Sequence, residues 1–432
     1  MPAIAILGAG GLIGHALAAD LRRRGFVIHG FARHFTKAQR YALGDMAIQT
    51  PILSLSDSEL AGLLKDADIV VNAIGVLQGR DTDRVHHGFA ARLAGLCAKE
   101  PRKLLVHVSV PGEARDDLTA FSRSKREGEA AIAASGVPFV ILRPGFVIAP
   151  AAYGGSALIR AMAALPFDPP RRESAARFAA IAMSDLCETV ARIASHWQQG
   201  EKDWRAVWDV MEDKPGTVAD VVKEFRDQHG GPAPWMMLPG WLIALGARTG
   251  DLASGLGWRP PIRSTALAEM RRGVQGTPSL WMAETGITPL SLSAAVRALP
   301  ATIQETWFAR LYLLKALALL VLVIFWCASG VIALTVAFAA AQQILLDHGF
   351  GFGVAQTVTI VSSLVDISVG LAIAFRRTSR AGLVAGILVS LGYMAGAAIM
   401  TPDIWAEPLG ALVKTGPAII LMLFCLAIWD DR

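Results

Sequence analysis

ILGAGGLIGHAL, running from Ile6 to Leu17, decides how the front of this 432-residue chain folds. The apolar run Ile4–Leu7 stops at Gly8, glycines recur at Gly11 and Gly14, and a helical apolar pattern (Ile13, Ala16, Leu17) takes over. That order is strand, tight turn, helix. Gly8 supplies the backbone angles of the turn, and a side chain at Gly11 would stand between the backbone and a pyrophosphate. Gly14 lets the helix lie close to the sheet, and the free N–H groups of the helix N-terminus attract phosphate. A glycine-rich turn with no ligand is the bland alternative. Strand and helix stand in register around the glycines, and the stretch therefore predicts dinucleotide binding.

Working outward, 432 residues exceed one ordinary domain, and the apolar residues are spread unevenly. Residues 1–306 read as a water-soluble protein, whereas charges become scarce from Leu311 onward. The net charge of +5 comes from scattered arginines without interleaved aromatics, which argues against a nucleic-acid partner. Cys97, Cys187, Cys327 and Cys425 lie far apart, show neither disulfide nor metal spacing, and suit a reducing compartment. No basic start with a cleavage site precedes the first strand, so the front domain is expected to stay in the cytoplasm.

Phe26–Arg33 reads as the second strand, and its end is where a cofactor ribose would sit. NAD sites usually offer an acid there. This chain offers Arg33 beside His34, and a guanidinium matches a 2′-phosphate, so NADP(H) is favoured over NAD(H). A short strand near Met46–Gln49, a helix from about Ser56, the buried strand Asp68–Gly75, a helix over Thr82–Lys99 and the strand Leu104–Val110 follow. His86 and His87 are expected to be surface or cap residues of that helix. The alternation predicts an α/β, doubly wound parallel sheet of the Rossmann kind, with ligands at the strands' carboxyl ends. Ser109 stands at such an end, and the helix beginning near Thr119 carries Phe121 and Lys125 on one face.

Five motifs then align in order: the GxxGxxG turn, NAIG at Asn72–Gly75, HVS at His107–Ser109, the helix carrying xxxK, and ILRPG at Ile141–Gly145. Together they resemble the short-chain dehydrogenase/reductase superfamily over roughly residues 1–300. Within it they are similar to the atypical NAD(P)-binding branch that includes the accessory NAD(P)H-binding subunit of mitochondrial complex I. The resemblance implies that Gly8, Gly11 and Gly14 hold the pyrophosphate, that Lys125 bonds the nicotinamide ribose, and that Ser109 lies beside the substrate carbonyl. The full expected cofactor set is Gly8, Gly11, Leu12, Ile13, Gly14, Arg33, Ala73, Ile74, Gly75, Lys125 and Pro144. Active members carry tyrosine four residues before the lysine, and this chain has Phe121, which cannot donate a proton. General acid catalysis is worth about 10²- to 10⁴-fold. Ser122, Ser109, His107 and Tyr153 are the candidate substitutes. His107 and Ser109 share one side of their strand.

From Trp197 to Thr306 the alternation stops, and Trp235, Trp241, Trp258 and Trp281 accumulate among prolines and glycines. In the superfamily this part is a small, mainly helical lobe over the nicotinamide. The tryptophans line an apolar pocket, form the lobe's core, or anchor at a membrane surface; the sequence leaves all three open. The expected division is 1–196 for the cofactor domain, 197–306 for the lobe and connector, and 307–432 for a membrane domain.

Ala316–Leu346 contains no charge, enough for one spanning helix with a surplus at Phe338–Leu346 that reads as interfacial or re-entrant. Further spans fit Val354–Phe375, Ala381–Met400 and Gly410–Trp429, a four-helix transmembrane bundle. Arg310, Lys315, Arg376, Arg377 and Arg380 alternate in side with Asp347, Asp403 and Glu407, with Lys414 just inside the fourth span, and the pattern predicts both termini in the cytoplasm of an inner-membrane protein. Asp366, in the second span, costs about 2.5–3.5 kcal/mol to insert, which its apolar neighbours offset at about 0.3–0.6 each. It is either functional or a hydrogen bond between helices. The pattern around Asp366–Gly370 with DIWAEPLGALVKTGPAIIL (403–421) resembles the DoxX-like four-helix membrane family.

The leading expectation is a membrane-anchored NADPH-dependent reductase of an apolar or quinone-like small molecule, with Ser109, Lys125 and Asp366 as its catalytic set and no metal. The runner-up is a non-catalytic NADPH-binding module that docks a respiratory or lipid-modifying membrane protein complex. A sugar-nucleotide epimerase is disfavoured, since that chemistry also leans on the missing tyrosine.

Overall fold

A computed structural model describes residues 2–79, 81–100, 102–200, 204–406, 410 and 412–429. The chain divides into two compact units, residues 1–248 with 261–309, and residues 249–260 with 310–432.

In the first unit, strands β1 (Ala3–Leu7), β2 (Val27–Ala32), β3 (Ala47–Gln49), β4 (Ile69–Asn72), β5 (Leu104–Val108) and β6 (Phe139–Pro144) are joined by a seventh strand, Arg205–Val210. All pair in parallel, in the order 3-2-1-4-5-6-7. This is the doubly wound Rossmann sheet that the alternation predicts. The central strands β1, β4, β5 and β6 are buried on both faces, so neighbours along them enter opposite cores. Ile4 and Ile6 join Leu17 and Leu21 of helix α1 (Leu12–Arg23) together with Leu186 and Val190 of the helix Met183–Gln199. Ala5 and Leu7 join Leu60, Leu93 and Ile132 on the other face.

Helix starts fall where capping chemistry puts them. Ser56 accepts from the backbone N–H of Glu59 at the start of the helix Asp57–Leu64, and Thr119 accepts from that of Ser122 at the start of α5 (Ala120–Ala134). One boundary moves. The seventh strand lies beyond the expected division at residue 196, and its Trp208 is buried in the sheet's core, so the Rossmann sheet draws on the segment assigned to the lobe. The turn from β4 into the next helix is also unexpected, a π-helical turn at Arg84–Gly88 followed by α4, Phe89–Cys97. All four cysteines are free.

Among the described residues, the second unit holds three helices long and apolar enough to cross a membrane, Ile303–Leu334 from Arg310 onward, Phe352–Ala374 and Ser379–Met400. The surplus after the first is a separate helix, Phe338–Asp347. The expected fourth span is helical over only Thr415–Ala427. Those 13 residues make about 20 Å, short of a bilayer's roughly 30 Å core. Glu407 lies outside the described residues.

Small residues let these helices approach. A Cβ on Gly330 would meet the carbonyl oxygen of Ser363 at 2.4 Å, and one on Gly370 would meet Cys327 Sγ at 2.5 Å. At one end Arg376 stacks over Trp258 and Trp429, Lys315 lies over Trp429, and Trp258 Nε1 donates to Ala374 O. Elsewhere His348 Nε2 bonds Asp403 Oδ1 at 2.6 Å, joining the segment after the first long helix to the turn after the third. That carboxylate, with the Ile344 carbonyl, raises the imidazole's pKa.

Gly330→Ala should destabilise the detergent-purified protein by about 1–3 kcal/mol through overpacking. Gly392→Ala, where nothing lies within 4 Å of the new methyl, should leave the melting temperature unchanged or raise it. Thermal unfolding of the two variants side by side checks this.

Candidate cofactor and active site

Gly8 adopts φ +89°, and a Cβ there would meet the Ala73 carbonyl oxygen at 2.9 Å. A Cβ on Gly14 would lie 2.3 Å from Gly8 O. The turn is pinned from below, with Gly8 N and Ala9 N both donating to Phe31 O and Gly11 N donating to Gly8 O. Gly11 is the N-cap of α1 and contributes no side-chain cap, so the first-turn N–H groups of Leu12 and Ile13 remain without one. A backbone shaped this way accepts an anion at the helix N-terminus. Arg33 and His34 are exposed just past the end of β2. Ala73, Ile74 and Gly75 follow β4 on the next strand over, and Pro144 ends β6 in register with Val210.

Behind this rim lies a buried polar cluster. Asn72 and His107 are register partners on β4 and β5. Asn72 Oδ1 accepts from Ile74 N, and its Nδ2 donates to His107 Nδ1 at 3.1 Å. That donation leaves the imidazole proton on Nε2, which, like the buried Oγ of Ser109, has no partner among the described residues. Burial first, then the charge of Lys125, hold His107 well below the usual imidazole range. Lys125 Nζ donates to Val108 O at 2.7 Å and to Ile74 O at 3.3 Å, tying the ends of β5 and β4 together. Burial pushes its pKa down to about 8, against the opposing pull of Glu129.

His86 corrects the expectation of a surface residue, since it is 1% exposed. Ser124 Oγ donates to Phe121 O and therefore accepts from His86 Nδ1, while His86 Nε2 accepts from Val76 N at 3.0 Å. The ring is neutral, held down to about 3 by burial and by Lys125. It meets Phe121 edge-on at 5.3 Å between centroids. The π-helical turn carries His86 inward, and an apolar-periodicity reading of one regular helix misses it. His87 stays at the surface, 3.5 Å from Asp83.

Of the four candidate proton donors, Ser122 is committed, its Oγ donating to Glu269 Oε1 at 3.0 Å. Glu269 also accepts from Thr119, and Arg272 on the same helix, Ser264–Arg272, pairs with buried Asp117. Arg126 bridges Asp117 to Glu129. This network clamps the lobe onto α5, and no motif signalled it, because its members lie about 150 residues apart. Tyr153 lines a cavity of about 390 Å³ along α1, bounded by Gly11, Leu12, Pro150, Met183 and Leu299. The tryptophans divide three ways: Trp281 is core, Trp258 packs on Trp429, and Trp235 and Trp241 are exposed. Asp366 accepts from Tyr393 Oη at 2.8 Å and Ser329 Oγ at 3.2 Å, each on a different long helix.

Residues 8–185 match the NAD(P)H-binding family and residues 323–423 the DoxX-like family. No curated protein matches the chain. Solved structures of similar fold include human epimerase family protein SDR39U1 with NADPH, at 20% identity and TM-score 0.50, covering 69% of this chain and 98% of that one. Another is a UDP-glucuronic acid 4-epimerase from Bacillus cereus with UDP-glucuronic acid and NAD, at 16% identity and TM-score 0.51, covering 72% of this chain and 100% of that one. A third, gox2253, is 15% identical with TM-score 0.51 and covers 68% and 97%. These identities show the fold alone. The chain thus joins a segment similar to NAD(P)H-binding domains, residues 8–185, to a C-terminal segment similar to the DoxX-like family, residues 323–423.

Because His86 is neutral when folded and protonates near pH 6.5 when unfolded, the unfolded state binds more protons between about pH 3 and 6.5. Stability of the first unit should therefore fall as pH drops through that window. His86→Leu should flatten the fall, at a cost near pH 8 of about 1–3 kcal/mol from the orphaned Val76 N–H, read by thermal unfolding at a series of pH values.

Proposed function

We propose that this protein is a membrane-anchored, NADPH-preferring reductase of an apolar or quinone-like molecule. The single observation that carries the reading is the bare glycine turn opening onto a cluster of Lys125, His107 and Ser109, whose donors are buried and partly unpaired. The residues present fit a dinucleotide. The helix N-terminus at Gly11–Ile13 takes the pyrophosphate, Lys125 the nicotinamide ribose, and Ala73–Gly75 with Pro144 the faces beside it, while exposed Arg33 suits a 2′-phosphate. The bound nicotinamide would supply the hydride.

Phe121 shapes which acceptor suits the site. Reduction of a simple carbonyl generates a strongly basic alkoxide that needs a proton at once, and a phenyl ring has none to give. A reduced quinone is a phenolate, a much weaker base, which tolerates proton delivery from a slower source. His107 Nε2–H and Ser109 Oγ–H, two residues apart on one side of β5, are the donors left for that task. The three long apolar helices favour a substrate dissolved in the bilayer, since tethering raises the local concentration of the cofactor domain there.

Orientation follows from charge. Lys315 and Arg376 gather with Trp429 at one end of the helices, which supports a cytoplasmic basic end and cytoplasmic termini in an inner membrane. Asp366 has both oxygens engaged by other helices, which supports the structural reading of this acid over a catalytic one. Phe121 also favours the second reading, a non-catalytic NADPH module serving a membrane complex.

Arg33→Ala should weaken NADPH binding by about 1.5–3 kcal/mol and leave NADH binding nearly unchanged, measured by nucleotide titration. In detergent, NADPH oxidation should proceed with quinones. Phe121→Tyr should raise aldehyde reduction by about 10²- to 10⁴-fold with little effect on quinones. Nucleotide that stays bound and unreacted with both acceptors refutes the reductase and leaves the non-catalytic module.

A further inference from the structure

Thirteen residues from Trp235 to Ala247, WMMLPGWLIALGA, carry no charge. The protein interior takes up only Ala247 fully. Trp235 is 71% and Trp241 67% exposed, and Met236, Met237, Leu242 and Leu245 are exposed alongside. The backbone is nonetheless ordered, since Trp235 N donates to Pro166 O, Leu238 N donates to Asp168 O, and Gly240–Gly255 is helical. Six large apolar side chains held outward within eleven residues mark a surface with an occupant.

We propose that Trp235–Leu245 is an in-plane membrane anchor, its side chains seated at the headgroup–acyl boundary of the same bilayer that the long helices cross. The argument is continuity. The peptide runs from Arg248 directly into Thr249–Pro260, which belongs to the unit of membrane helices. There Trp258 donates to Ala374 O at the last residue of the second long helix and stacks on Arg376 and Trp429. Ala247 and Trp258 are eleven positions apart along the chain, most of them in the helix Gly240–Gly255, so the apolar stretch leads directly into that segment. The stretch is too short to span, and paired tryptophans with Met and Leu are what an interfacial segment presents to lipid. Exposed Arg248 follows the last apolar turn, where a phosphate headgroup would lie.

The test uses the full-length protein in phosphatidylcholine–phosphatidylglycerol vesicles, with and without bromine at positions 6 and 7 of the acyl chains. Tryptophan emission is compared for wild type, Trp235→Phe and Trp241→Phe, each checked for unchanged NADPH affinity. The emission component that each substitution removes should be quenched at least twofold by brominated lipid. A component equally bright in both lipids overturns the proposal. If that unquenched result comes with particles holding two chains, a second copy covers the patch instead.

Discussion

The first unit depends on one close approach. Gly14 sits against the carbonyl of Gly8, and Gly8 against the backbone after β4, with no room for a methyl at either place. Helix α1 can therefore start directly above the sheet, with its uncapped N-terminus at the strands' carboxyl ends. Every other feature of the site is measured from that point: Arg33 one strand to one side, Ala73–Gly75 one strand to the other, and the β5 residues beyond. A side chain at Gly8 or Gly14 would displace the helix and lift the anion-binding N–H groups out of line.

Beside that turn, buried polar side chains of β4, β5 and α5 are held by hydrogen bonds. Lys125 is retained, buried, and engaged with the carbonyls at the ends of β4 and β5. Four residues before it, the phenyl ring of Phe121 packs against His86. His86 is locked by two hydrogen bonds into a neutral tautomer and acts on the loop at Val76. His107 Nε2 on β5 and Ser109 Oγ just past its end are buried without a partner among the described residues.

The second unit is organised by small residues and one acid. Gly330 and Gly370 let the first and second long helices come close enough for Ser329 to reach Asp366, and Tyr393 reaches it from the third. In hydrocarbon such a bond offsets part of the cost of the carboxylate and fixes the helices' rotation.

Some of this was legible in the sequence because it depends on local periodicity and turn chemistry. The strands from β1 to β5, the glycine turn, the helix starts near Ser56 and Thr119, and the three long apolar helices all follow from residues within a few positions of one another. The DoxX-like and NAD(P)H-binding resemblances rested on such local motifs too. What only the tertiary structure decided involves groups far apart in the chain. Trp208 completes the sheet from beyond the expected boundary, Glu269 claims the hydroxyl of Ser122, and a single π turn rotates His86 from the surface to the interior. The same holds for the tryptophans, which look alike in sequence yet fall to core, helix end and exposed face according to which surface the fold leaves uncovered. Periodicity states which side of an element is apolar; only packing states what meets it.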